Sequence, residues 1–426
     1  MMNKLITLAF VTLAVVSLGA NCLCPCLQPA PPADNGGDQN GGGDQNGTTL
    51  TIVKTNIALH PDAKLRCGND LIAFGTGVLT GVSYVVPSTA PTAGTPVPDG
   101  ATYSSKGFAV GGKNIFLAHT NSGPTMFQVS VFNTQTETTH TFSNTDIRLR
   151  SIPTGQSDAG HIQADNNYCA VICDANEVLD GKVVKVIFTA GGATPGVISF
   201  AQNPGSTVRQ VAVNAALGKV IAATDDSFFI YTISSAADAP VEIPVTNGIA
   251  SVQMATHGNY VIAHDDRSYP QAILVDLVNN TVIPMANAEA TKIPAIGGTS
   301  FLFFSDATSV DQYGGDSRVA VGTVPGPGFE KTGLNSFIDG STGNNGLVGF
   351  AGQAAIVPNG SYVFLSSPYL QYNTAGTVFT VPPDPDATDP WACPATDVAA
   401  SNTTVGFKTA ATKTATKDKL GYIILP

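Results

Sequence analysis

The strongest constraint on this chain is a unit of four short apolar runs that recurs along its length. In residues 248–288, GIASVQMATHGNYVIAHDDRSYPQAILVDLVNNTVIPMANA, each run is closed by a turn signal and no helical stretch intervenes. Residues 251–255 alternate weakly, and THGN (256–259) follows, with Gly258 free to take positive φ. Residues 260–263 are apolar and β-branched. His264, Asp265 and Asp266 interrupt them, and 272–277 resume. Asn279-Asn280 suits a hairpin because Asn tolerates the left-handed region, and 281–285 form the fourth run. A helix needs apolar residues at three- and four-residue spacing over ten or more positions, which is absent here. The unit therefore predicts four antiparallel strands. A sheet that small cannot bury both its faces alone, so it needs neighbours.

The same order precedes it in VRQVAVNAALGKVIAATDDSFFIYTISSAADAPVEIPVT (208–246), where KVIAATDDSFFIYTI falls on YVIAHDDRSYPQAILVDL. Second and third strands of the unit recur at 71–86, 115–142, 168–188, 301–324 and 362–381. First strands lie between them at 108–114, 293–300 and 348–360. Two pieces are left over. TLTIVKTNIAL (49–59) reads as an outer strand with nothing before it. VGFKTAATKTATKDKLGYIIL (405–425) reads as a first strand, a turn and a second strand with nothing after. Joined, they make one composite unit, and such closure removes exposed sheet edges.

On this repeat order and spacing, residues 48–426 resemble the β-propeller family, four-stranded blades around a channel. No copy carries the Trp-Asp pair of WD40 repeats or the double glycine and paired aromatics of kelch repeats, and the pattern is closer to diverged propellers of bacterial exported proteins. The expected fold is all-β, a β-propeller of seven or eight four-stranded blades closed by pairing of the N- and C-terminal strands. Two β-sandwiches are the rival arrangement.

Residues 1–20 read as a signal peptide. Lys4 supplies the positive start, 5–20 the apolar core, and Leu18-Gly19-Ala20 the small-residue cleavage site. The apolar run is shorter than the roughly 20 residues that span a bilayer. This start resembles a bacterial lipoprotein signal, with Cys22 as the lipid anchor, although Asn21 displaces that cysteine by one residue. Cys24 and Cys26 follow. Residues 21–47 form a Cys/Pro/Gly/Asn-rich tether whose composition cannot offset the entropy of ordering. The expected address is therefore export: periplasmic, outer-membrane-anchored or extracellular. Only 12% of residues are charged and the net charge is −11, which opposes nucleic acid or an anionic membrane as partner. Membrane contact is expected only through the N-terminal lipid.

Chemistry is sparse. Cys67 and Cys393 lie near the two ends of the folded part and would form a disulfide across a closed ring. Cys169 and Cys173 fall on one strand, too far apart to bridge, and read as buried thiols. The turn after each second strand holds Asp174, Asp225 with Asp226, His264 with Asp265 and Asp266, and Asp306, while the second copy has His119 there. By resemblance to propellers these turns lie on a ligand-binding face. A ring of carboxylates there suits calcium, a cationic ligand or a polyhydroxylated one, while Asp as a plain turn former explains them too. No catalytic residue and no metal motif stands out, with neither HExxH nor GxSxG present. Pro-rich 382–397, with Trp391, reads as an irregular connection or binding loop. Tyr369 and Tyr372 suit stacking on a sugar or ordinary packing. The expectation is an exported propeller that binds a protein or glycan without catalysis or cofactor. The alternatives are a metal-dependent hydrolase or lyase using carboxylates at the channel mouth, or a structural surface protein.

Overall fold

Each recurring apolar run becomes a strand in the computed structural model of the protein, and the strands group in fours. The structure describes residues 52–59, 63–77, 80–98, 103–120, 127–143, 146–149, 162–175, 178–189, 194–245, 253–264, 272–283, 296–297, 300–304, 318–323, 337–338, 354–356, 363–365, 371–374, 377–380, 395–409 and 418–426. All of these fall in one structural unit, Leu50–Pro426. The signal peptide, the tether and Cys22 lie outside the described residues. No described helix is long and apolar enough to cross a membrane.

After β1 (Ile52–Leu59) come seven four-stranded meanders. The first is β2 (Leu65–Gly68), β3 (Leu71–Gly77), β4 (Thr80–Val85) and β5 (Thr95–Pro96). The second is β6 (Tyr103–Gly111), β7 (Asn114–Thr120), β8 (Phe127–Asn133) and β9 (Thr138–Thr141). The third is β10 (Ile162–Asp165), β11 (Tyr168–Ala175), β12 (Val178–Phe188) and β13 (Gly196–Ser199). The fourth is β14 (Gln210–Asn214), β15 (Lys219–Ala223), β16 (Ser227–Thr232) and β17 (Val241–Pro244). The fifth is β18 (Gln253–His257), β19 (Tyr260–His264), β20 (Ala272–Asp276) and β21 (Thr281–Ile283). The sixth is β22 (Ile296–Gly297), β23 (Ser300–Phe304), β24 (Arg318–Thr323) and β25 (Phe337–Ile338). The seventh is β26 (Ala354–Ile356), β27 (Val363–Leu365), β28 (Gln371–Thr374) and β29 (Thr377–Thr380). An eighth sheet joins the two ends of the chain. It contains β30 (Ala395–Ala400), β31 (Thr404–Thr409) and β32 (Asp418–Ile424), with β1 on the outer side of β32. There Ile52 faces Ile423 and Leu59 faces Asp418 in an antiparallel pair. Thr55 Oγ1 adds a bond of 2.6 Å to the Leu420 carbonyl.

First strands of consecutive sheets lie side by side. The series runs β2, β6, β10, β14, β18, β22, β26 and β30, and β30 lies against β2. The core sits between the sheets, which explains why the strand sequences are nearly continuous apolar runs rather than alternating ones. On β15, Ile221 and Ala223 face the fifth sheet while Val220 and Ala222 face the third. On β7, Phe116 and Ala118 face the third sheet while Ile115 and Leu117 face the first. Both side-chain rows of a middle strand are therefore buried. Each full burial of such a side chain stabilises the fold by roughly 1.5–3 kcal/mol before ordering costs.

Three readings of the sequence need correction. The C-terminal segment supplies the second and third strands of its sheet, not the first and second. Its first strand is β30, which begins inside the stretch taken as a Pro-rich connection. Asp174 lies within β11 beside a register shift, His119 within β7 and His264 at the end of β19, none of them in a turn.

Candidate functional site

In an antiparallel meander, the turn after the first strand and the turn after the second lie at opposite ends of the sheet. Among the described residues, the first-to-second turns line a cavity. Residues from this end of six consecutive sheets, the eighth and the first to fifth, line one cavity of about 480 Å³. Asn402, Asn69, Gly112, Asn166, Asn214 and Gly258 each represent one of those sheets. A wider groove of about 920 Å³ shares Asn69, Gly112 and Asn166 with it and continues past Asn133 and Thr136.

Small residues let these turns approach one another. A Cβ on Gly68 would fall 2.4 Å from the Gly112 carbonyl oxygen, and one on Gly111 would fall 2.4 Å from the Asn166 carbonyl oxygen. Side-chain amides then tie sheet to sheet. Asn214 donates to Thr256 Oγ1 at 3.1 Å and to the Gly258 carbonyl at 2.7 Å, while its own oxygen accepts from the Leu217 amide. Asn114 donates to Thr189 Oγ1 at 3.0 Å and accepts from Asn133. The Asp70 amide donates to Thr403 Oγ1 at 2.9 Å. The rim is thus a set of turns interlocked by side-chain hydrogen bonds.

Asp165 and His257 both line the cavity and influence one another electrostatically. Asp165 ends β10 and its Oδ2 accepts from the Ala215 amide at 2.8 Å. His257 ends β18, two sheets away. Burial raises the Asp165 pKa above its ordinary value, with the Ala215 bond and the attraction of His257 pulling the other way. Burial likewise lowers the His257 pKa, partly opposed by Asp165. Gln163 shares a strand face with Asp165 and donates to the Met254 carbonyl on β18 at 3.3 Å. That bond fixes the spacing of the two strands that carry the pair.

The candidates read from the sequence are placed as follows. Asp174 is buried, and its Oδ1 accepts from the Gly181 amide at 2.9 Å. Asp225 is exposed and held by Arg209 through two bonds of 2.7 Å. Asp226 accepts from Thr224 Oγ1 at 2.8 Å, and its carbonyl accepts from the Val245 amide. Asp225 and Asp226 thus shape the β15–β16 turn. Asp265, Asp266, Asp306, Cys393, Trp391 and Tyr369 lie outside the described residues, as do the side chains of His119, His264 and Tyr372. Among the described residues no three His, Cys, Asp or Glu gather as a metal-binding group. The Cys67 thiol donates to the Ala399 carbonyl at 3.2 Å, joining first and eighth sheets. Cys169 and Cys173 are buried on one face of β11, and burial raises the Cys173 thiol pKa to about 12.

The sequence reading missed the first-to-second turns although they carry a signal. GND (68–70), GGKN (111–114), DNN (165–167), HGN (257–259) and SNT (401–403) repeat Asn at that place in the unit.

No protein-family model and no curated protein matches the chain. Solved structures resemble it. The β-propeller domain of the Trilobed protease from Pyrococcus furiosus is 11% identical over 74% of this chain and 93% of that one, with a TM-score of 0.43. The WD40 domain of Toxoplasma gondii coronin is 10% identical over 75% and 81%, with a TM-score of 0.44. BamB from Moraxella catarrhalis is 13% identical over 88% and 97%, with a TM-score of 0.41. These neighbours are β-propeller proteins.

Proposed function

We propose that residues 48–426 form a closed eight-bladed β-propeller that serves, exported or held at the envelope through Cys22, as a binding module without a catalytic step. Eight four-stranded sheets, the β1–β32 pair and the side-by-side series of first strands support the ring. The observation that carries the binding role is the convergence of turns from six consecutive sheets on one polar cavity and its adjoining groove. Interlocked turns present a fixed surface, so little entropy is lost when a ligand docks. The ligand is a protein or glycan surface laid across the groove, where amide and hydroxyl side chains predominate and offer hydrogen bonds.

The test compares the two ends of the sheets. Full-length protein is screened against a glycan array and against envelope proteins, and any ligand found is re-measured with Asn166→Arg and with Asp225→Lys. Loss of binding with Asn166→Arg alone supports the reading. Loss with Asp225→Lys alone overturns it in favour of the acidic turns.

A further inference from the structure

We infer that the cavity at the first-to-second turns is a subsite for an alkylammonium group, the side chain of a lysine on the partner, with Asp165 as its counter-ion and the His257 imidazole as a second acceptor. The inference rests on the binding face proposed above and names what that face selects.

Asp165 is the only carboxylate among the described residues lining the cavity, and no Lys or Arg is among them. Among the described residues its partners are one backbone amide and the attraction of His257. A carboxylate drawn partly out of water is costly unless paired, and a single amide compensates for only part of its charge. Burial lowers the pKa of the half-buried His257, which favours the neutral imidazole, whose one free ring nitrogen accepts a hydrogen bond and cannot neutralise Asp165. A primary ammonium brings the missing charge and three N–H donors for these acceptors. The desolvation that such pairing normally costs has already been met on the protein's side.

Shape and field agree. A cavity of about 480 Å³ with an open mouth admits a slender alkyl chain, and the apolar lining from Val110, Val213 and Ala255 contacts its methylenes. A net charge of −11 steers a basic partner toward the surface. Gln163 acts as a positioning residue, since its bond to the Met254 carbonyl sets β10 against β18.

The test uses Nα-acetyl-lysine amide, the norleucine analogue that lacks the ammonium, and spermidine. Each is titrated into full-length protein while the His257 ring resonances are followed by NMR. Saturable shifts are expected with the lysine probe at millimolar concentration, and none with the norleucine analogue. Asp165→Asn keeps an acceptor for the Ala215 amide, and it should weaken the lysine probe by at least about tenfold. Glu242→Gln, the same charge change on outer strand β17, should leave binding intact and controls for net charge. Binding of spermidine far tighter than the lysine probe would overturn the lysine assignment and make a free polyamine the occupant. Equal binding by Asp165→Asn, or no shift up to tens of millimolar, would overturn the subsite. If partner binding were still lost with Asn166→Arg, the binding face would stand without it.

Discussion

Burial sets the chemistry of individual side chains in this protein, and His257 shows it best. Its folded-state pKa lies below the ordinary 6.5, so the unfolded chain takes up a proton that the folded chain resists. Its contribution to stability is therefore full above 6.5 and is lost as pH falls below that value toward the folded pKa. His257→Gln should flatten the fall in stability on the acid side of neutrality, measured by urea unfolding at a series of pH values. Asp165 acts in the opposite sense at lower pH. Its pKa is raised from 3.8, so its contribution worsens as pH rises through that window. Because the two attract one another, Asp165→Asn should lower the His257 pKa further in an NMR titration, and an unchanged pKa would mean that they do not meet. The same logic makes Cys169 and Cys173 inert. Both thiols are fully buried and resist ionisation, and the thiolate is the reactive form. Peptide mapping after alkylation should find both unlabelled in native protein and labelled in urea, and rapid native labelling would contradict their burial.

At the scale of elements, the glycines of the first-to-second turns decide how closely neighbouring sheets approach. A Cβ on Gly111 meets a backbone oxygen that cannot swing aside, whereas one on Gly218 meets nothing and suffers only from φ of +60°. Gly111→Ala should therefore cost about 1–3 kcal/mol through overpacking, and Gly218→Ala nearer 1–2 kcal/mol through its left-handed backbone. Only Gly111→Ala should also disturb the cavity, seen as altered His257 resonances. The strands themselves were legible in the sequence because both faces of a middle strand are buried, which leaves unbroken runs such as VIAA (220–223) and CAVIC (169–173). β30 was not legible, since ATDVAA (395–400) mixes polar residues and alanines after a Pro-rich stretch. It owes its strand state to β31, with which Val398 pairs at Phe407. The site was only half legible. Repeated Asn marks most first-to-second turns, but Asp165 and His257 belong to different units and come to one cavity only in three dimensions. The acidic turns are conspicuous in the sequence, yet Asp225 and Asp226 are occupied with Arg209 and Thr224.

For the molecule as a whole, everything depends on whether the first strand holds the last sheet. β1 contributes buried Ile57 and Leu59 to the cluster between the eighth and first sheets, and Thr55 bonds to Leu420. Two aliphatic side chains at roughly 1.5–3 kcal/mol each, with about 1 kcal/mol for the hydrogen bond, approach the whole stability of an ordinary domain. Losing β1 would also bare the edge of β32, a template for aggregation. A chain beginning at residue 48 should therefore melt like the full-length protein. A chain beginning at residue 62 should lose its cooperative transition or melt far lower, and a peptide spanning 50–61 added in trans should restore part of the loss. Such rescue separates strand pairing from a general cost of truncation, because only a complementary edge supplies it. Equal melting of the two truncated chains would show that the ends do not close the fold, and the convergence of turns that forms the cavity would lose its physical basis.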